Sequence, residues 1–165
     1  MLDAYCWPRS VEPGETVAIH ASTDLDGFAI EVARDGANRE VTWSGRGAAG
    51  HHAVPEGASS VGCGWPAALE VPVGEGWRSG YYAVTLTSGD ERADAFFVVR
   101  SRRQETAPIL MVLSTTTYDA YNDWGGPSRA TSIAKPSRSV EAWIETVSPG
   151  STDLGQQYAS SIAGD

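Results

Sequence analysis

The chain of 165 residues carries a formal net charge of −9, with 41 % hydrophobic and 20 % charged residues. That length and balance fit one folded domain, or a small domain with part of a second, and exclude a disordered chain. The acid excess argues against nucleic acid or anionic lipid as partners, and no stretch reaches the roughly 18 consecutive apolar residues of a membrane span.

The opening "MLDAYCWPRS" has neither the basic start nor the apolar run of a secretory signal, so a cytoplasmic protein is expected. "RSVEPGETV" reads as a proline-glycine lead-in to the first strand. That strand, "ETVAIHAS", alternates with period two. Val17, Ile19 and Ala21 share one face, and Thr16 and His20 the other. "FAIEVARDG" repeats the pattern with Phe28, Ile30 and Val32, then turns at Asp35-Gly36. "REVTWSG", "ALEVPV", "GYYAVTLTSG" and "RADAFFVVR" continue the series, and Ser88-Gly89-Asp90 marks a turn between the last two. The Gly-rich stretch from Ser44 to Gly64 is expected to be a surface loop. Short alternating strands separated by Gly, Pro and Asp predict an immunoglobulin-like β-sandwich over residues 1–100. Val17, Ile19, Ile30, Val32, Val84, Leu86 and Phe97 are expected to point inward.

Two cysteines cannot build a disulfide framework or a zinc site by themselves. Cys6 precedes the first expected strand and Cys63 sits in the turn-like "GCGWP", so neither matches an inter-sheet bridge, and two unpaired thiols are the expectation. His51-His52 is a poor metal site, because neighbours on a strand point to opposite faces and loop placement is the default.

After Arg100 the character of the chain changes. "SRRQETAP" (101–108), with Arg102 and Arg103, reads as a hydrophilic linker rather than a phosphate site. "ILMVLS" is apolar on both faces, as in a strand buried in a parallel sheet, so a second, α/β domain is expected to begin here. The loop behind such a strand is where open α/β sheets bind ligands. "TTTYDAYNDWGGPS" would fill that place, with residues 109–128 as first strand and motif loop. Asn122 reads as a turn cap or as a group that orients a carbonyl, and Trp124 as a core residue or an apolar wall. Thr115, Thr116 and Thr117 lack a nearby base that would make one of them a nucleophile. The remainder, 129–165, holds one amphipathic stretch, "SVEAWIETV", and is expected to be a poorly ordered tail.

"RSGYYAVTLTSGDERADAFFVVR" and "APILMVLSTTTYDAYNDWGG" resemble the large (beta) subunit of N,N-dimethylformamidase and its relatives. "WPRSVEPGETVAIHAST" and "GCGWPAALEVPVGEGWRSG" carry the likeness upstream, so that it covers roughly residues 5–128. The resemblance implies an immunoglobulin-like sandwich followed by a glutamine-amidotransferase-like α/β domain, here only its truncated start. It also implies hydrolysis of small amides, an iron ion held by tyrosine and glutamate, and a small subunit or homo-oligomer as partners. Matched to the "AYN" motif, the metal ligand is Tyr121, with Tyr118 a second candidate and Asn122 and Trp124 on the substrate side. A phenolate is a hard anionic ligand suited to ferric iron. Beyond Ser128 the likeness is expected to stop. Glu141, Glu145 and Tyr158 have ligand chemistry but stand in no family motif. The expectation is therefore an inactive fragment of an amide hydrolase. The rival is a non-catalytic binding or assembly module.

Overall fold

The computed structural model describes residues 1–102 and 110–121. The described chain falls into two compact units. Among the described residues, one comprises Met1–Pro55, 61–102 and 110–113, and the other contains Glu56–Ser60 and 114–121.

The first unit is built of eight strands in two sheets. Strands β1 (Asp3–Trp7), β3 (Thr16–Ser22) and β6 (Ala67–Pro72) form a three-stranded sheet in the order β1-β3-β6. The second sheet contains β2 (Ser10–Val11), β4 (Phe28–Asp35), β5 (Glu40–Gly47), β7 (Gly80–Ser88) and β8 (Glu91–Val99), in the order β2-β8-β7-β4-β5. All neighbours are antiparallel except β2 and β8, which run parallel with Ser10 opposite Val98 and Val11 opposite Val99. Adjacent β3 and β6 in one layer, and adjacent β4, β7 and β8 in the other, make the immunoglobulin-like arrangement.

Six of these strands coincide with the alternating segments of the sequence. β1 and β2 do not, and here the expected lead-in is corrected. The chain pairs first with β3 and then crosses to β8, where the Val98 N–H donates to the Arg9 carbonyl (2.8 Å) and the Arg100 N–H to that of Val11 (2.7 Å). Leu2, Cys6 and Val11 are buried by this crossing. A two-residue strand is too short for periodicity to reveal, and only its partner defines it. Ser44–Gly47, expected in the long loop, instead complete β5 against Phe28–Glu31.

All seven residues expected to face inward are buried, none more than 4 % exposed. Period-two alternation places them on one face of each strand, and the two faces close on one another. Between β7 and β8 the turn needs only Gly89 and Asp90, because Ser88 already pairs with Glu91. Gly89 has φ of 59°, a conformation glycine adopts without the steric penalty of a side chain.

Near the start of β7, Tyr82 is fully buried. Its ring stacks on Trp77 (centroids 5.1 Å) and Phe97 (5.4 Å), while its hydroxyl donates to the Arg78 carbonyl at 2.7 Å. This is the tyrosine corner of immunoglobulin-like sandwiches. In antibody domains a bridging cysteine follows two residues later, but here that position is Val84, itself buried. Cys6 and Cys63 are both free, as expected, although Cys6 lies on a strand rather than before one.

Burial raises the Tyr82 phenol above its ordinary value of 10.0. A raised folded value means that the unfolded chain loses the proton first. The stabilising contribution is therefore complete below that ordinary value and is lost as pH climbs through the folded one. Urea unfolding should show stability falling above about pH 10, and less steeply in Tyr82→Phe. At neutral pH, Tyr82→Phe should lower the unfolding free energy by about 1–2 kcal/mol, since the Arg78 carbonyl loses its donor.

Candidate functional site

Helix α1 (Thr115–Tyr121) carries the motif tyrosines. It opens at Ser114, whose carbonyl accepts the N–H groups of Thr117 (2.9 Å) and Tyr118 (3.3 Å). Serine is a favoured residue at such a helix start. The sequence reading placed a buried strand at 109–114 and a loop behind it. Within the described part, residues 110–114 join no sheet, and Leu110, Met111 and Val112 are 85 %, 52 % and 78 % exposed. A strand exists only through the ladder it shares with a neighbour, and no described strand pairs with this run. Tyr118 and Tyr121 stand three residues apart and so on neighbouring positions of one helical face. Tyr118 is half-buried and Tyr121 is 48 % exposed. Asn122 and Trp124 lie outside the described residues, as do Glu141, Glu145 and Tyr158.

Would these donors suit an iron ion? Among the described residues no three His, Cys, Asp or Glu side chains come together as a metal site. Tightly held transition metals usually take three or four protein ligands. Two phenols on a seven-residue helix do not complete such a set, so the described residues alone do not fit an iron centre.

A second cluster was not foreseen in the sequence. It lies on the outer face of the three-stranded sheet, where Tyr5 of β1 pairs with His20 of β3. Their rings stack in parallel, centroids 4.6 Å apart and 3° from coplanar orientation. Trp65, 5 % exposed, packs beside them, 5.7 Å from the Tyr5 ring. The Trp65 N–H donates to the Tyr5 hydroxyl (3.2 Å) and its carbonyl lies 2.7 Å from His20 Nδ1. A carbonyl only accepts, so Nδ1 bears the proton, and in the neutral ring Nε2 is the acceptor. The Trp65 indole N–H donates to the Ala53 carbonyl at 3.0 Å. One step along, Ser22 Oγ accepts from the His52 N–H (2.8 Å) and donates to the His52 carbonyl (3.0 Å). The outward placement of His20 was legible from alternation. Its partner Trp65, 45 residues away, was not.

His51 and His52 lie in a loop, as expected. His51 Nδ1 faces Asp24 Oδ1 at 3.0 Å, and His52 is held through its backbone. Burial raises the Tyr5 phenol, partly offset by the Trp65 N–H. Complete burial drives the Cys6 thiol far above its usual range, whereas half-buried Cys63 rises through burial and then the nearby Asp3 carboxylate.

The family model described as "N,N-dimethylformamidase beta subunit-like, C-terminal" matches residues 29–159, from β4 past the motif helix. The chain belongs to this family. The match continues beyond Ser128, where the likeness was expected to end. Among curated proteins, the N,N-dimethylformamidase beta subunit of Alcaligenes sp is 43 % identical over 60 residues, which is 36 % of this chain and 8 % of that relative. The dimethylformamidase-like chain thus spans a small part of the curated relative it matches. Two solved structures of Dscam, one titled for its isoform specificity and one for the N-terminal four Ig domains of Dscam1 isoform 1.9, are 13 % and 15 % identical. Each covers 62 % of this chain and 21 % of its own, with TM-scores of 0.38 and 0.35.

Thiol alkylation checks the burial of the two cysteines. Iodoacetamide should modify Cys63 of the folded protein while Cys6 reacts at least about tenfold more slowly, because only the thiolate attacks and it must be reachable. In concentrated urea the two should react alike. Equal labelling in the folded state would contradict the placement of Cys6 in the core.

Proposed function

We propose that this chain is part of a hydrolase of small non-peptide amides, supplying its immunoglobulin-like unit and the tyrosine-bearing motif. The observation that carries this reading is the family match, which covers residues 29–159 and so takes in β4 to β8 and the motif at 115–128. In such a reaction water adds to the amide carbonyl, the C–N bond breaks, and the amine leaves with a proton. Tyr121 is the residue of this chain proposed as an anionic oxygen ligand of iron, which would polarise the carbonyl or activate the water when bound. Its half-exposed position leaves the side chain accessible to a ligand. Asn122 is proposed to orient the substrate carbonyl, and Trp124 to wall its alkyl groups. The other donors would come from beyond the described residues. A small subunit and further copies of the longer protein are the proposed partners, in the cytoplasm.

Iron content after desalting and amine release from N,N-dimethylformamide test this. The 165-residue chain alone should bind no stoichiometric iron and release no amine. Placed within the full length of its Alcaligenes relative, in register with the aligned stretch, it should support both. There, Tyr121→Phe should lower kcat/KM by more than about a hundredfold and remove the iron. Full iron and turnover in that variant would overturn the role of Tyr121. No turnover in any context would favour the non-catalytic assembly module instead.

A further inference from the structure

The β2–β3 turn and the β6–β7 connection are bonded to one another. The Gly14 N–H donates to the Val73 carbonyl (2.8 Å) and the Val73 N–H to that of Glu15 (2.9 Å), so Glu12 and Glu15 of the one and Glu75 of the other lie on joined segments. The chain leaves β8 beside these carboxylates. The Arg100 N–H is bonded to the Val11 carbonyl, and its guanidinium lies 3.6 Å from Glu12 and 3.7 Å from Glu15. Two residues on, Arg102 donates to Glu75. Two features hold the carboxylates in place independently of the arginines. Glu15 Oε2 accepts the Glu12 N–H at 2.6 Å, which fixes its side chain over the turn. Gly14, with φ of 93°, leaves the space in which Glu75 Oε1 sits, since a Cβ there would stand 2.5 Å from that oxygen.

We propose that Glu12, Glu15 and Glu75 form an ionic strap that holds residues 100–102 on the sandwich and so fixes the direction in which the chain leaves β8. By composition the polar segment from Ser101 would be a flexible linker, but the strap makes its first two residues part of the sandwich. Every member is about half exposed or more, and a single ion pair at that exposure contributes little. Here three carboxylates act on two arginines two residues apart. The backbone bond at Arg100 has already positioned the chain, so less conformational freedom is lost on pairing. Salt screens exposed pairs, and the Debye length falls from about 10 Å at 0.1 M to about 3 Å at 1 M, so the strap loosens as ionic strength rises. The strap lies wholly within the sandwich unit and does not depend on the role of Tyr121.

Nitrogen-15 relaxation of the backbone amides, measured on the whole chain, tests this. At low salt the order parameters of Ser101 and Arg102 should match those of β8, near the roughly 0.85 of rigid backbone. In the triple variant Glu12→Gln/Glu15→Gln/Glu75→Gln they should fall below about 0.6, the flexible range, and 1 M NaCl should lower them to the same range in the unaltered chain. Glutamine keeps the size and the accepting oxygen of each side chain, so only the charge is lost. Arg100, bonded through its backbone, and β8 should stay rigid in every case. Order parameters at 101 and 102 already below about 0.6 in the unaltered chain at low salt would overturn the strap. So would values that stay with those of β8 in the triple variant or in 1 M NaCl. A fall that extends through Arg100 into β8 would place the effect in the sandwich itself and overturn the strap too.

Discussion

Tyr82 meets two requirements that usually conflict. Its ring must be apolar enough to sit wholly inside the sandwich between Trp77 and Phe97, and its hydroxyl must not be left without a partner there. The Arg78 carbonyl, four residues back, resolves the conflict, since a buried hydroxyl that has an acceptor no longer bears its full desolvation penalty. That bond links the end of the β6–β7 connection to the start of β7, which then runs between β4 and β8. The register of β7 against β4 and β8 keeps Tyr82, Val84 and Leu86 inward. A slip by one residue would turn Val84 and Leu86 outward.

The sandwich does this without a bridge between its layers. Val84 occupies the position that a cysteine takes in antibody domains, and it belongs to the buried core cluster. Cohesion between the layers rests on hydrophobic burial, spread over Val17, Ile19, Val32, Val71, Val84 and Leu86, together with the chain that crosses from β1 to β2. The smaller sheet has three strands and would expose its outer face. The loop returning at Trp65 covers part of that face with an aromatic and histidine cluster whose hydrogen bonds all run between backbone and side chain. Those bonds tie distant segments together without adding a strand.

The motif region follows a different logic. Its apolar run, Leu110–Val112, is exposed among the described residues, and the helix behind it is only seven residues long. Helices of that length draw their stability from packing, not from propensity, and three consecutive threonines are weak helix formers. The described residues alone therefore supply only part of the site proposed at Tyr121, and the chain spans 8 % of the curated relative it matches.

How much of this could be read from the residues alone? Alternation in "TVAIHAS", "FAIEV" and "YAVTL" was sufficient to place the inward faces, because the pleat has a period of two whatever the strand pairs with. Ser88-Gly89-Asp90 was likewise legible, since a tight hairpin needs a residue free to adopt positive φ. The tyrosine motif was visible through its family likeness. What the alternation could not contain is partnership. The two-residue β2 is a strand only because β8 lies beside it. "ILMVL" looked like a strand, yet its described residues 110–113 join none of the described sheets, and Trp65 looked like a turn residue until Tyr5 and His20 came beneath it. Local sequence determines which face of a segment is apolar. Only the tertiary structure decides what that face, or a backbone hydrogen-bonding edge, will meet, because hydrogen bonds and burial are properties of pairs of segments far apart in the chain.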